Sequence, residues 1–213
     1  MFRFICLAIG YLIGCIQSAY VVGKFMRVDI RNYGSGNLGT TNALRVLGKR
    51  AGAVTFICDV MKSFLSFLLC VWLFDSPLAG MYASLGAVLG HDFPFYLGFK
   101  GGKGIAVTIG LVLGLSIFVS PYFAACAYGL GIIGVLISNT ISLGSIFFVS
   151  MVPIVSLCLK EPGEMTVALL LMTALALYQH RANIDRLAHG KENPFLGKKK
   201  KAAPLPRGEK KLQ

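Results

Sequence analysis

From Ile105 to Leu159 the chain runs 55 residues without an Asp, Glu, Lys or Arg. A soluble domain carries charge at about a quarter of its positions, so a stretch this long and this apolar has to lie in hydrocarbon. One helix crosses a bilayer in about 20 residues, which makes the run too long for two helices and their turn. Two natural interruptions, Ser120-Pro121 and Ser138-Asn139-Thr140, divide it into segments at about 105–119, 121–138 and 142–159. The first two are short for a full crossing.

The rest of the chain supplies four more spans. Phe4 to Gly23 is 20 residues without charge, and is long for the apolar region of a cleaved signal, so it is expected to remain as a helix. Ala51 to Leu73 is long enough but contains Asp59 and Lys62, three positions apart, which are expected to pair or to serve a function, as ionisable groups in a bilayer generally do. Ala79 to Gly98 is weaker, because His91, Asp92 and Pro94 fall in its last third, and Met165 to about Gln179 follows a Lys-Glu-Pro-Gly turn.

The charge decides orientation. The 21 Lys and Arg outnumber the 9 Asp and Glu, giving a formal +12. Six of the basic residues follow the first span, Lys100 and Lys103 follow the third, and ten lie from Arg181 onward; the opposite side holds only Arg3 and Lys160. Basic loops face the cytoplasm. The expected fold is an all-α integral membrane protein, a bundle of about seven transmembrane helices with its amino terminus outside and its carboxyl terminus cytoplasmic. Residues 1–192 form the membrane domain, and 193–213, with the Lys198–Lys201 run, a basic and disordered cytoplasmic tail. No basic stripe interleaved with aromatics accompanies that tail, so nucleic acid is not an expected partner, whereas membrane lipid is. The six cysteines lie in apolar spans with no Cys-x-x-Cys pair and read as small core residues. No obligate protein partner is implied.

Three polar clusters fall on the cytoplasmic side. The first, Gly34-Ser35-Gly36-Asn37-Leu38-Gly39-Thr40-Thr41-Asn42, leads into a short helical stretch in which Thr41 and Arg45 share a face. Glycines allow backbone N–H groups to turn toward an anion, and a helix start adds partial positive charge; the plain alternative is a flexible loop with Asn and Thr caps. The second reads His91-Asp92-Phe93-Pro94 and then Phe99-Lys100-Gly101-Gly102-Lys103-Gly104. Lysines flanking Gly-Gly suit a phosphate. The frame is not a Walker A loop, since Leu97 and Gly104 stand where that motif requires Gly and Ser or Thr. His91 reads equally well as a structural imidazole. In the third cluster His180 and Asn183 share a helix face, followed by Arg181, Arg186 and Glu192. Ser142 begins the sixth span on the same side, where a serine is more often a helix cap. There is no acidic cluster for magnesium and no His/Cys ligand set, so neither a metal nor another cofactor is expected. The clusters suit two phosphates at one end of a bundle.

The strings Gly34-Ser35-Gly36-Asn37-x-Gly39-x-Thr41-Asn42-x-x-Arg45, Gly90-His91-x-Phe93-Pro94 with Phe99-Lys100-Gly101-Gly102-Lys103-Gly104-x-Ala106, and His180-Arg181-x-Asn183-Ile184-x-Arg186-Leu187 with Gly190-x-Glu192 resemble the three signature blocks of the bacterial membrane acyl-phosphate:glycerol-3-phosphate acyltransferases. The resemblance runs from span one through Glu192 in order and spacing. It implies an enzyme of the bacterial cytoplasmic membrane that moves a fatty acyl group from acyl phosphate to the sn-1 hydroxyl of glycerol 3-phosphate, giving lysophosphatidic acid and inorganic phosphate. It further implies that Ser35, Gly36, Asn37 and Arg45, with Thr41 near, hold one phosphate. Lys103, with Lys100 and the Gly101-Gly102 backbone, would hold the other or bridge both. Ser142 would contribute to binding, and His180 and Asn183 would hold the glycerol phosphate near its nucleophilic hydroxyl. His180, Lys103 and Ser35 form the implied catalytic set, and His91, Asp59, Lys62, Arg181 and Glu192 support it.

Two points stay open in the sequence. The hydroxyl proton goes either to His180 or to the acyl phosphate's own phosphate; the second reading is favoured, because no acid orients His180. His180 and Asp185 also satisfy a His-x4-Asp spacing typical of an unrelated acyltransferase superfamily, whose domain is not a polytopic bundle, and Asp185 is given no catalytic role. The rival classes are an organic-phosphate transporter, against which stands the absence of paired interrupted helices in two halves, and a lipid-bound scaffold, which leaves the glycine-rich loops unexplained.

Overall fold

The computed structural model describes residues 1–195, which form helices and contain no strand; most of the expected tail, from 196 on, lies outside the described residues. Three helical stretches are long and apolar enough to cross a membrane, Phe2–Phe25, Lys49–Phe74 and Ile141–Cys158, and Ile105–Phe118, Tyr122–Ser138 and Gly163–Gln179 are shorter apolar helices. In chain order the α-helices are α1 (Phe2–Gly14), α2 (Ser18–Phe25), α3 (Thr40–Val46), α4 (Lys49–Phe74), α5 (Pro77–Asp92), α6 (Ile105–Phe118), α7 (Tyr122–Ser138), α8 (Ile141–Cys158), α9 (Gly163–Gln179) and α10 (Arg181–Ala188).

Local chemistry sets most of these ends. Gly48, Gly98 and Gly104 take positive φ, and Asn139 closes α7 in the left-handed region, conformations that glycine and asparagine tolerate best. α5 stops at Asp92 rather than continuing toward Gly98, because the residue before a proline is driven out of the helical region and Pro94 lacks an N–H. Thr140 caps α8 by accepting from the Leu143 N–H at 3.3 Å. Ser142 is thereby freed from the capping role expected of it.

One expected helix is two. The first span breaks between Gly14 and Ser18, with Gln17 extended. Its freed carbonyls are satisfied from elsewhere in the chain: the Lys62 ammonium from α4 donates to those of Gly14 (3.1 Å) and Ile16 (3.0 Å). In hydrocarbon such a break survives only where its freed backbone groups are satisfied.

α1 and α5 pack at backbone contact through small residues spaced four apart. A Cβ at Gly10 would lie 1.7 Å from the Ala83 carbonyl oxygen, at Gly14 2.2 Å from that of Ala87, at Gly86 2.1 Å from that of Leu7 and at Gly90 2.1 Å from that of Tyr11. With lipid as apolar as leucine, close van der Waals approach of this kind is what holds helices together. α7 and α8 meet at Gly134 and Gly144 and stack Tyr128 on Phe148, centroids 5.6 Å apart. The main core joins α4, α5, α6, α8 and α9 around Phe67, Leu111, Val152 and Leu169. At the end away from the polar loops, Glu164 binds Arg3 and accepts from the Tyr82 hydroxyl at 2.7 Å, tying α1, α5 and α9.

Candidate active site

The three polar clusters occupy one end of the bundle and are joined to one another. Asn183, near the start of α10, is the hub: its Oδ1 accepts from the Lys103 ammonium, and its Nδ2 donates to the Ser142 hydroxyl at 2.7 Å and reaches Glu192 Oε2 at 3.5 Å. Glu192 also receives Arg186 Nε at 2.8 Å. The loop after α5, the start of α8 and the segment after α9 thus converge on one amide. Lys103 is half-buried, and burial pushes its ammonium below the ordinary lysine range; the Arg186 charge adds to this and Glu192 opposes it. A partly desolvated ammonium favours an anionic ligand.

His180 ends α9 and is 5% exposed. Its Nδ1 lies 2.8 Å from the Ala176 carbonyl oxygen one turn back. A carbonyl only accepts, so Nδ1 carries the ring proton and Nε2 holds the free lone pair. Burial, with the Lys103 charge, holds its pKa below the usual histidine value, which keeps the ring neutral at pH 7. An acid is therefore not needed to orient this imidazole. Asp185 is exposed and lies beside His189 at 3.4 Å. Arg181 donates to the Tyr178 carbonyl at 3.0 Å and stacks on that ring, and its charge adds to the lowering of the Lys103 pKa.

The Gly-Gly loop differs from its expected role. Gly101 N–H donates to the Asp92 carbonyl and Gly102 N–H to the His91 carbonyl, both at 3.0 Å, so neither amide is turned toward an anion. What position 102 requires is proximity, since a Cβ there would lie 1.9 Å from His91 Nε2. The donors available at this point are the Lys103 ammonium and the first-turn amides of α6, which starts at Ile105 with no intrahelical acceptors before it. Lys100 is exposed.

The first loop is organised by a residue absent from the expected site. Buried Asn42 accepts from the Ser35 N–H at 3.0 Å and donates to the Tyr33 carbonyl at 3.1 Å. Gly34, at φ 64°, must be glycine, as a Cβ would lie 2.2 Å from Asn42 Oδ1. Ser35, Gly36 and Asn37 are thereby displayed on a turn whose Gly36 N–H is bonded to the Tyr33 carbonyl. Thr41 is exposed and Arg45 half-buried one turn on along α3. The Leu38 N–H reaches the Gly101 carbonyl at 3.5 Å, which links the first and second loops. Among the described residues no side-chain hydrogen bond ties Ser35 or Arg45 to the Asn183 hub.

Beneath the loops lies a buried polar group. Asp59 accepts from the Ser18 hydroxyl (2.8 Å) and pairs with Lys62 (3.1 Å), and Lys62 lies 2.8 Å from His91 Nδ1. Gln17, a lone amide inside an apolar run and so faintly signalled in sequence, donates to the His91 carbonyl at 3.0 Å. Beside the site, an apolar groove of about 490 Å³ runs between α5 and α9, lined by Leu85, Leu89, Ala168 and Met172 and ending at Glu164.

Comparisons with known proteins identify the family. The family model for glycerol-3-phosphate acyltransferase matches residues 4–190. A glycerol-3-phosphate acyltransferase of Clostridioides difficile is 42% identical over 207 residues, covering 94% of this chain and 98% of the relative. That of Thermoanaerobacter pseudethanolicus is 40% identical over 200 residues, covering 93% and 98%. Among solved structures, PlsY (YgiH), an integral membrane glycerol 3-phosphate acyltransferase, matches in its glycerol 3-phosphate form with a TM-score of 0.81 at 35% identity, over 91% of this chain and 95% of that one. Its lysophosphatidic acid form matches with a TM-score of 0.79 at 34% identity, over 90% and 94%.

Proposed function

The chain belongs to the glycerol-3-phosphate acyltransferase family and is a multi-pass integral membrane protein, and from that premise we propose that it moves a fatty acyl group from acyl phosphate to the sn-1 hydroxyl of glycerol 3-phosphate, releasing lysophosphatidic acid and inorganic phosphate. The observation that carries this reading is the convergence of Lys103, Ser142 and Glu192 on Asn183 at the end of the bundle where His180 also lies, with an apolar groove beginning about one helical turn away.

The seven spans are the broken pair α1–α2 and then α4 through α9, with α3 and α10 lying at the cytoplasmic surface. The acyl chain lies in the α5–α9 groove, and its phosphate meets Lys103 and the first turn of α6, where charge and helix dipole both favour an anion. Ser35, Gly36, Asn37 and Arg45 hold the phosphate of glycerol 3-phosphate, whose sn-1 hydroxyl points toward His180 and Asn183. The hydroxyl oxygen attacks the acyl carbonyl carbon while its proton passes to His180 Nε2. The carbon–oxygen bond to phosphate then breaks, phosphate leaves with the electron pair, and the ester remains. An acyl phosphate already carries a good leaving group, so alignment and charge stabilisation are most of what the protein adds. The substrate-assisted alternative loses its main support once His180 has a backbone carbonyl to orient it.

The test is phosphate release by the purified protein in detergent. Acyl phosphate with glycerol 3-phosphate is expected to give release and a lysophosphatidic acid product. No release above background, or equal transfer from acyl-coenzyme A as sole donor, overturns the assignment.

A further inference from the structure

We propose that Lys62, which lies within the bilayer and contacts neither reacting group, is a positioning residue that sets the register of the loop presenting Lys103 to the acyl phosphate. The inference rests on the reading of that loop as the donor-phosphate site. Lys62 is 7% exposed, Asp59 and Gln17 0%, and His91 2%. Its ammonium reaches the Gly14 and Ile16 carbonyls of the broken first span, Asp59 one turn back on its own helix, and His91 Nδ1 on α5. Lysine can only donate, so His91 Nδ1 accepts and the ring proton is on Nε2, facing Gly102.

The His91 backbone carries the same connection outward. Its carbonyl accepts from Gln17 Nε2 and from the Gly102 N–H, and the neighbouring Asp92 carbonyl accepts from the Gly101 N–H. Gly102 is pressed against the imidazole so closely that no side chain fits. The next residue is Lys103. The path from Lys62 through His91 to Gly102 and Lys103 is therefore a sequence of direct contacts; the loop is otherwise held by the Leu38 N–H at the Gly101 carbonyl and by Asn183 at the Lys103 ammonium, while Lys100 and Phe99 are exposed. A helix break alone would be capped as well by any donor. Only a group able to reach two carbonyls and an imidazole at once fixes both the break and the loop.

The test compares wild type with Lys62→Met, as full-length protein in detergent, by two readouts: the KM for each substrate with kcat, and amide hydrogen exchange of the 98–106 segment. The expected result is a KM for acyl phosphate raised at least tenfold, a KM for glycerol 3-phosphate within twofold of wild type, and exchange at 101–103 faster by tenfold or more. Wild-type KM values and wild-type loop exchange, with the loss confined to thermal stability or yield, would overturn the proposal. If Lys62→Met does not fold, His91→Asn and His91→Ala decide. Asn places an acceptor where Nδ1 stands and is expected to stay within about fivefold of the wild-type KM for acyl phosphate, whereas Ala behaves as described for Lys62→Met; equal behaviour of the two variants also overturns it. Faster loop exchange with an unchanged KM for acyl phosphate upholds the positioning role and rejects the loop as donor-phosphate site. A wild type inactive with acyl phosphate rejects the assigned reaction, and loop exchange alone then decides the role of Lys62.

Discussion

His180 derives its readiness as a base from a backbone carbonyl one turn behind it. Because burial and Lys103 lower its pKa, the neutral form persists below the ordinary histidine value, and activity is lost only as pH falls through that lowered pKa. The acid limb of kcat/KM is accordingly expected below pH 6.5, the usual value for an unperturbed histidine. His180→Ala is expected to lower kcat by about 10²–10⁴, the usual contribution of general base catalysis, and to remove that limb; near-wild-type turnover at saturating glycerol 3-phosphate would assign the proton to the substrate phosphate. Gly102→Ala drives a methyl group into the His91 ring. Its expected effect is a loss of at least about tenfold in kcat/KM for acyl phosphate, the scale of misplacing a charged ligand by a fraction of an ångström, measured with the KM for glycerol 3-phosphate as control. Gly34, Gly102, Lys103, His180 and Asn183 all stand out in the sequence as residue types. Which of them pair with which does not; Asn42 stands in the first motif without a role assigned to it, and Gln17 is only a lone amide in an apolar run until the backbone around it is seen.

Where two helices touch, backbone rather than side chains sets the distance. Gly86→Leu in α5 puts a branched side chain where the Leu7 carbonyl lies 2.1 Å from the Cβ position, and α1 must separate from α5. Overpacking of this kind costs about 1–3 kcal/mol, expected as a lowered Tm in detergent and reduced activity, since the end of α1 carries Gly14, one of the two carbonyls that Lys62 caps. The α5–α9 groove makes a separate prediction. Along α9 the rise per residue places Ala168 about 18 Å and Glu164 about 24 Å from His180, so Ala168→Trp, well down the groove, is expected to shift donor preference toward shorter acyl chains, read by comparing kcat/KM across a chain-length series. Helix ends were legible from punctuation at Ser120-Pro121 and Ser138-Asn139-Thr140, where α6 gives way to α7 and α7 to α8, whereas the third span ends at Asp92, short of the expected Gly98. The break in the first span was not legible, because the donor that satisfies it, Lys62, is 46 positions from Ile16 in sequence.

For the molecule as a whole, the basic residues predict orientation. A cysteine replacing Lys160, in the turn between α8 and α9, is expected to react with an impermeant thiol reagent in sealed cells, and one replacing Lys191, beyond α10, only after permeabilisation. Labelling of both from the same side contradicts seven crossings. A run of 55 uncharged residues and the distribution of 21 basic ones were sufficient to place the chain in a membrane as a helical protein and to group its polar motifs. Hydropathy, helix length and charge bias are sums over neighbouring residues, and a sequence displays such sums directly. It did not disclose that the Gly101 and Gly102 amides are bonded to carbonyls, that Asn183 joins Lys103 to Ser142, or that a buried lysine connects three helices to one loop. Each of those depends on which buried donor finds which acceptor. That was decided only when glycine-lined helices far apart in the chain came within backbone contact.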